Sequence, residues 1–161
     1  YHGFKFFNHY SSNYSFVTNT TTAVKAFGWG IGGEYRFYKS YNLVANVYSD
    51  KLADVPADFV TFFNTPEYRF NIGVNNADVY RGWGFNLMYK WQDKTNWEGT
   101  FGSAEIPSYG ILDAMISYKF PKSKNLVKLG ATNVTNNYYR SAFGNPSIGG
   151  LYYISFGYNV F

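Results

Sequence analysis

An antiparallel, all-β meander of about eight strands is the fold class that this sequence predicts. Three observations carry it. Apolar residues alternate with small or polar ones over long stretches, helical periodicity is almost missing, and the connections alternate between short polar turns and longer loops. Successive side chains of a strand point to opposite faces, so such alternation means that the two faces meet different surroundings.

The clearest segments run in order along the chain. Phe27, Trp29, Ile31, Gly33, Tyr35 and Phe37 share one parity against Gly28, Gly30, Gly32, Glu34 and Arg36. Tyr68, Phe70, Ile72 and Val74 oppose Arg69, Asn71, Gly73 and Asn75, and Trp83, Phe85, Leu87, Tyr89 and Trp91 oppose Gly84, Asn86, Met88, Lys90 and Gln92. Leu112, Ala114, Ile116, Tyr118 and Phe120 oppose Asp113, Met115, Ser117 and Lys119. The last segment sets Tyr152, Ile154, Phe156, Tyr158 and Val160 against Tyr153, Ser155, Gly157 and Asn159. Weaker alternation marks residues 2–10, 42–50 and 125–135. Residues 38–42, 76–82 and 120–125 read as short turns, and residues 10–22, 51–66, 92–107 and 140–150 as longer loops rich in Ser, Thr, Asn, Gly and Pro. Short turns on one rim and long loops on the other are the layout of bacterial outer-membrane barrels.

Composition narrows the class further. Of 161 residues, 46% are apolar and 15% charged, below the roughly 25% of soluble domains, and 23% are aromatic. Cysteine is absent, which excludes disulfides and thiolate chemistry. The net charge is +4, but Lys and Arg are scattered instead of clustered in a run, so nucleic acid is not an expected partner. No stretch reaches the roughly 18 apolar residues of a membrane helix, and no charged start followed by an apolar core marks a leader. The chain opens on Tyr1, as expected of a processed or excised part of a longer protein.

Alternation with one greasy face suits a soluble barrel turned apolar side in, or a membrane barrel turned apolar side out. The other face decides. A soluble sheet would crowd it with Lys, Glu and Asp, whereas here it carries Gly, Asn, Ser and occasional charges. Aromatic residues near strand ends, Trp83, Tyr89, Trp91, Tyr109, Tyr118 and Tyr158, fit an interfacial girdle. On the membrane reading Glu34, Arg36, Arg69, Asn71, Asn86, Lys90, Asp113, Ser117 and Lys119 face the lumen, the charged ones pairing with each other. A charge facing lipid at the midplane would cost about 2–4 kcal/mol.

No catalytic or metal site is expected. Asp50, Asp54, Asp58, Asp93 and Glu98 lack the close oxygen-ligand spacing of a calcium loop. His2 and His9 have opposite strand parity, and no Gly-x-Ser-x-Gly elbow occurs. The expectation is a protein without cofactor or enzymatic activity.

Several segments together resemble the barrel of TonB-dependent outer-membrane receptors, especially of the Bacteroidetes type. Residues 64–74 (NTPEYRFNIGV) are similar to that family's strand opening with Asn-x-Pro, and residues 33–37 (GEYRF) resemble its Gly-x-Glu strand. Residues 108–120 (SYGILDAMISYKF) resemble the strand with a central Asp. Residues 128–141 (KLGATNVTNNYYRS) resemble the penultimate strand with its Asn-rich bend, and residues 151–161 (LYYISFGYNVF) the terminal strand ending on Phe. The family's usual aromatic two places before the terminal Phe is Asn159 here, with Tyr158 one step off.

The resemblance implies a barrel of about 22 strands around a plug. Residues 1–161 would then be one barrel segment, its C-terminal part, with no plug. The implied partners are outer-membrane lipids, the rest of the barrel and plug, an inner-membrane energy-coupling protein and the barrel-assembly machinery, for which Phe156, Tyr158 and Phe161 form the C-terminal signal. The implied function is to supply wall and extracellular loops to an importer of a scarce nutrient, a metal chelate or oligosaccharide, in the outer membrane. Two alternatives stand beside it: a self-contained eight-stranded membrane barrel, and a soluble aromatic-rich β module that binds ligands.

Overall fold

The alternating segments pair as antiparallel ladders. The computed structural model describes residues 2–8, 15–55, 60–99 and 102–158. The elements are β1 (His2–Asn8), β2 (Ser15–Ala23), β3 (Lys25–Phe37), β4 (Tyr41–Asp54), β5 (Tyr68–Tyr80), β6 (Trp83–Gln92), β7 (Thr95–Gly99), β8 (Gly102–Ile106), β9 (Tyr109–Lys119), β10 (Leu126–Thr132) and β11 (Leu151–Gly157). Seven of them form one sheet in the order β11-β10-β9-β6-β5-β4-β3, and β1–β2 and β7–β8 are separate two-stranded hairpins. The eight predicted strands correspond to β1, β3, β4, β5, β6, β9, β10 and β11; β2, β7 and β8 fall where the sequence predicts long loops. His9, Asp58 and Phe161 lie outside the described residues.

Register shows what the alternation builds. Residues directly opposite each other in an antiparallel pair share a face. One continuous row across the sheet is Tyr35, Leu43, Val74, Leu87, Ala114, Ala131 and Tyr152. Another is Ile31, Val47, Phe70, Trp91 and Gly110. The reverse face gives Arg36, Asn42, Asn75, Asn86, Met115, Gly130 and Tyr153. An apolar face and a mixed polar face thus run unbroken through all seven strands.

The apolar face has no core behind it. Phe27 is 66% exposed, Leu129 53% and Ile154 77%, while from Ala23 onward the buried large or aliphatic hydrophobic residues among those described are Val24, Ile106 and Ala131. The accessible surface of 11645 Å² exceeds the roughly 8,200 Å² of a compact monomer of 18.4 kDa. Strands β3, β4, β5, β6 and β9 have 13, 14, 13, 10 and 11 residues, enough for a tilted membrane crossing of about 9–11 residues.

The short turns gather at one rim, at residues 38–40, 81–82 and 120–125, and the long connections at the other. The turn predicted at 76–82 is tighter than that: β5 continues to Tyr80 through an irregularity between Asn76 and Tyr80. Asn76 makes this bulge possible. It is 1% exposed, its side-chain amide donates to the Lys39 carbonyl at 2.9 Å, and its side-chain oxygen accepts the Asp78 N–H at 2.9 Å. The reversal is then left to Arg81 (φ 49°) and Gly82 (φ 88°), the two positive φ values of a tight hairpin turn.

Candidate functional site

At the long-connection rim, three segments converge above the sheet ends. The first, residues 60–67, is pinned to β7 by Glu98. Its carboxylate accepts the Thr61 N–H at 2.8 Å, the Thr61 hydroxyl at 2.9 Å and the Phe62 N–H at 2.9 Å. Asn64 exchanges two further bonds with the Glu98 backbone, at 2.8 and 2.7 Å. The second segment is the β7–β8 hairpin, whose foot is closed by Lys94 Nζ on Glu105 at 2.9 Å. That hydrogen bond and the Glu105 charge raise the Lys94 pKa.

The third segment, residues 133–150, is shaped by Asn133, which is 2% exposed with φ 52°. Its side chain accepts the Asn137 N–H at 3.1 Å and donates to the Asn137 carbonyl at 2.8 Å, closing the Asn-rich bend on itself. Farther on, Tyr139 and Ile148 exchange backbone bonds of 3.1 and 2.7 Å and hold residues 140–147 as a loop.

Two cavities open between these segments. One of 440 Å³ lies between residues 60–67 and the β7–β8 hairpin, where Glu67, Asp93 and Glu105 face Lys51 and Lys94. The other, of 450 Å³, is walled by Ile106, Tyr109, Tyr138, Tyr139, Arg140 and Phe143. Tyr109 stacks on Tyr139 with centroids 4.3 Å apart, and its hydroxyl bonds Gln92 at 3.0 Å. Arg140 Nε reaches Ser147 Oγ at 3.4 Å. Flat aromatic faces beside a guanidinium and hydroxyl groups suit a solute with both apolar faces and polar edges.

On the polar face, the residues named from sequence divide into linked and unlinked groups. Lys90 pairs with Asp113 at 2.7 Å, and Asp113 also accepts the Asn133 N–H at 2.9 Å. Arg69 pairs with Asp50 at 2.7 Å and lies 5.5 Å from the Tyr48 ring. Glu34 and Arg36, on edge strand β3, and Lys119 make no ion pair among the described residues. Asn71 pairs with Asn46 and Lys90 in register, Asn86 with Asn75 and Met115. Ser117 shares this face but is 8% exposed and packed beside Gly84. Of the acids expected in loops, Asp50 and Asp54 lie in β4 instead, Asp54 pairing with Lys25 at 3.2 Å, while Asp93 accepts the Lys94 N–H at 2.8 Å.

Aromatic residues cluster at the ends of the apolar face. Trp83 lies 4.9 Å from Tyr118, and Tyr118 meets Phe120 edge-on at 4.9 Å. Toward the other rim Phe70 stands 5.5 Å from Trp91 and 6.0 Å from Tyr89. Phe37, Tyr41 and Phe85 extend the first cluster at 5.7 and 6.0 Å; the sequence places Phe37 and Phe85 in strands and Tyr41 in the turn 38–42, which does not mark them as a cluster. Tyr109 is a correction. It pairs with Gln92, on the face opposite Trp91, so it belongs to the rim cavity and not to the girdle. Its odd number in a strand whose apolar parity is even already carried that signal. Phe156 lies on the apolar face and Tyr158 just beyond β11, both exposed.

No curated protein matches the chain. The model of the family described as TonB dependent receptor-like, beta-barrel, matches residues 4–136, most of the chain and nearly all of the sheet. With that match over an antiparallel wall of this kind, the chain belongs to the β-barrel family of TonB-dependent receptors, outer-membrane receptors and transporters that work with a plug domain and TonB-type partners.

Proposed function

We propose that the chain forms wall and outer loops of an importer for a scarce nutrient, a metal chelate or an oligosaccharide, and performs no catalysis itself. The unbroken apolar face carries the reading, because a sheet with Tyr35, Leu43 and Leu87 exposed and Val74 and Ala114 half-buried in one row needs lipid against it. The short turns then lie on the periplasmic side and the long connections outside. The cavity at Tyr109, Tyr138, Tyr139 and Arg140 lies where an incoming solute first meets the wall. Stacking on its rings supplies contact area, and Arg140 with the neighbouring hydroxyls supplies direction.

The test is uptake by cells that depend on the receptor. Tyr138→Ala combined with Arg140→Ala should lower solute binding and uptake about tenfold or more, the loss of one stacked ring and one polar anchor, at an unchanged outer-membrane level. Unchanged uptake would remove this cavity from the solute's path. Recovery of the protein in the soluble fraction without detergent would instead favour the soluble module.

A further inference from the structure

The two rims carry opposite charge. Lys39, Arg81, Lys122 and Lys124 occupy residues 38–42, 81–82 and 120–125, all four exposed, and the one acid beside these turns among the described residues is Asp78, whose carboxylate accepts the Gly82 N–H at 3.0 Å. Among the described residues, 60–67, 93–108 and 133–150 instead carry Glu67, Asp93, Glu98 and Glu105 against Lys94 and Arg140. Two of the turn cations rest on aromatic rings, Arg81 at 4.9 Å from the centroid of Tyr80 and Lys39 at 5.0 Å from that of Tyr38.

For Arg81 the side of the wall can be read from the register. Tyr80 pairs with Trp83, which belongs to the apolar face together with Tyr118. Arg81 therefore stands at the foot of the apolar face. Arg36, Lys119 and Lys128 belong to the opposite face. Successive short turns are two strands apart, so the cationic turns follow one another about every 10 Å along the rim.

We propose that this rim is a docking surface for the phosphate groups of anionic phospholipids, with Lys39, Arg81, Lys122 and Lys124 as its contacts. The inference rests on the membrane reading above and adds the headgroup chemistry to it. Where an apolar wall ends, the next layer outward is headgroups, and amphipathic rings such as Tyr80 and Trp83 occupy that boundary. Cations held against those rings stand level with the phosphates, their stems covering apolar surface and their charges outward. Each Lys or Arg near an anionic lipid surface strengthens attachment about fivefold.

The test uses the intact receptor in neutral detergent, with phosphatidylglycerol or phosphatidylcholine added and the retained lipid counted by native mass spectrometry. Phosphatidylglycerol should be retained about tenfold or more over phosphatidylcholine, and replacing all four cations with Gln should abolish that preference. Exchanging them among Lys and Arg should preserve it. If the fourfold variant loses its heat-modifiable folded form, Lys122→Gln with Lys124→Gln should still remove a measurable part. Equal preference in wild type and folded Gln variant overturns the proposal, as does displacement of the lipid by excess inorganic phosphate, which would assign the site to a free anion. Failure of the membrane reading is distinguishable: neither protein would insert into phosphatidylcholine vesicles, whereas failure of the headgroup proposal leaves insertion intact.

Discussion

Asp113 gives one oxygen to Lys90 on β6 and the other to the N–H of Asn133 just beyond β10, so a single carboxylate ties the middle of the polar face to the start of residues 133–150. Asp113→Ala should destabilise by about 1–3 kcal/mol, because it strands a buried N–H and unpairs Lys90. It should also speed tryptic cleavage after Arg140, whereas Asp113→Asn, which keeps an acceptor, should do so less. An unchanged cleavage rate would mean that the bend stands without it. A second contrast tests the faces. Leu87→Arg should cost about 2–4 kcal/mol in unfolding from bilayers, and Asn86→Arg, on the face of Asp113, far less. Equal losses would reverse the face assignment. Parity made the faces legible residue by residue, and Lys90 and Asp113 were both placed on the polar side. Their pairing was not legible, because β6 and β9 become neighbours only when the chain leaves the sheet for β7–β8 and returns.

Strands with an unambiguous period of two could be read directly, and those without it could not. In β2 (SFVTNTTTA) the polar Thr and Asn occupy both parities, and β7 (TNWEG) and β8 (GSAEI) have five residues each, too few to establish alternation. The bulge in β5 was read as turn because residues 76–79 break the pattern, whereas Asn76 satisfies the break from within. What remains of that connection is Arg81–Gly82. A Cβ on Gly82 would meet the Lys119 carbonyl oxygen, the same atom's owner whose N–H donates to the Gly82 carbonyl at 2.8 Å. Gly82→Val should therefore destabilise by more than the roughly 1–2 kcal/mol of a left-handed residue alone, since it also pushes β9 away from the hairpin. Heat-modifiability of the folded receptor measures this, and a wild-type midpoint would show that the turn tolerates a side chain.

At the scale of the molecule the long and short connections give the wall a direction. Single Cys variants at Lys122 and Pro146 probe it in intact cells with an impermeant label: position 146 should react and position 122 should not. The opposite result would invert the wall. The architecture was legible because alternation, turn length and aromatic placement agree with one another. The rim cavities were not, because they are assembled from connections more than thirty residues apart, as Thr61 on Glu98 illustrates. The strand order also constrains how the wall can be completed. The sheet has seven strands, all antiparallel to their neighbours, so its two outermost members, β3 and β11, run in the same direction, from the long-connection rim to the short-turn rim. Zipped to each other they would form a parallel ladder, foreign to a barrel of this kind, and left apart they would present unpaired backbone to lipid. Only an odd number of additional strands can fill the gap, which makes the finished ring even-numbered whatever its diameter.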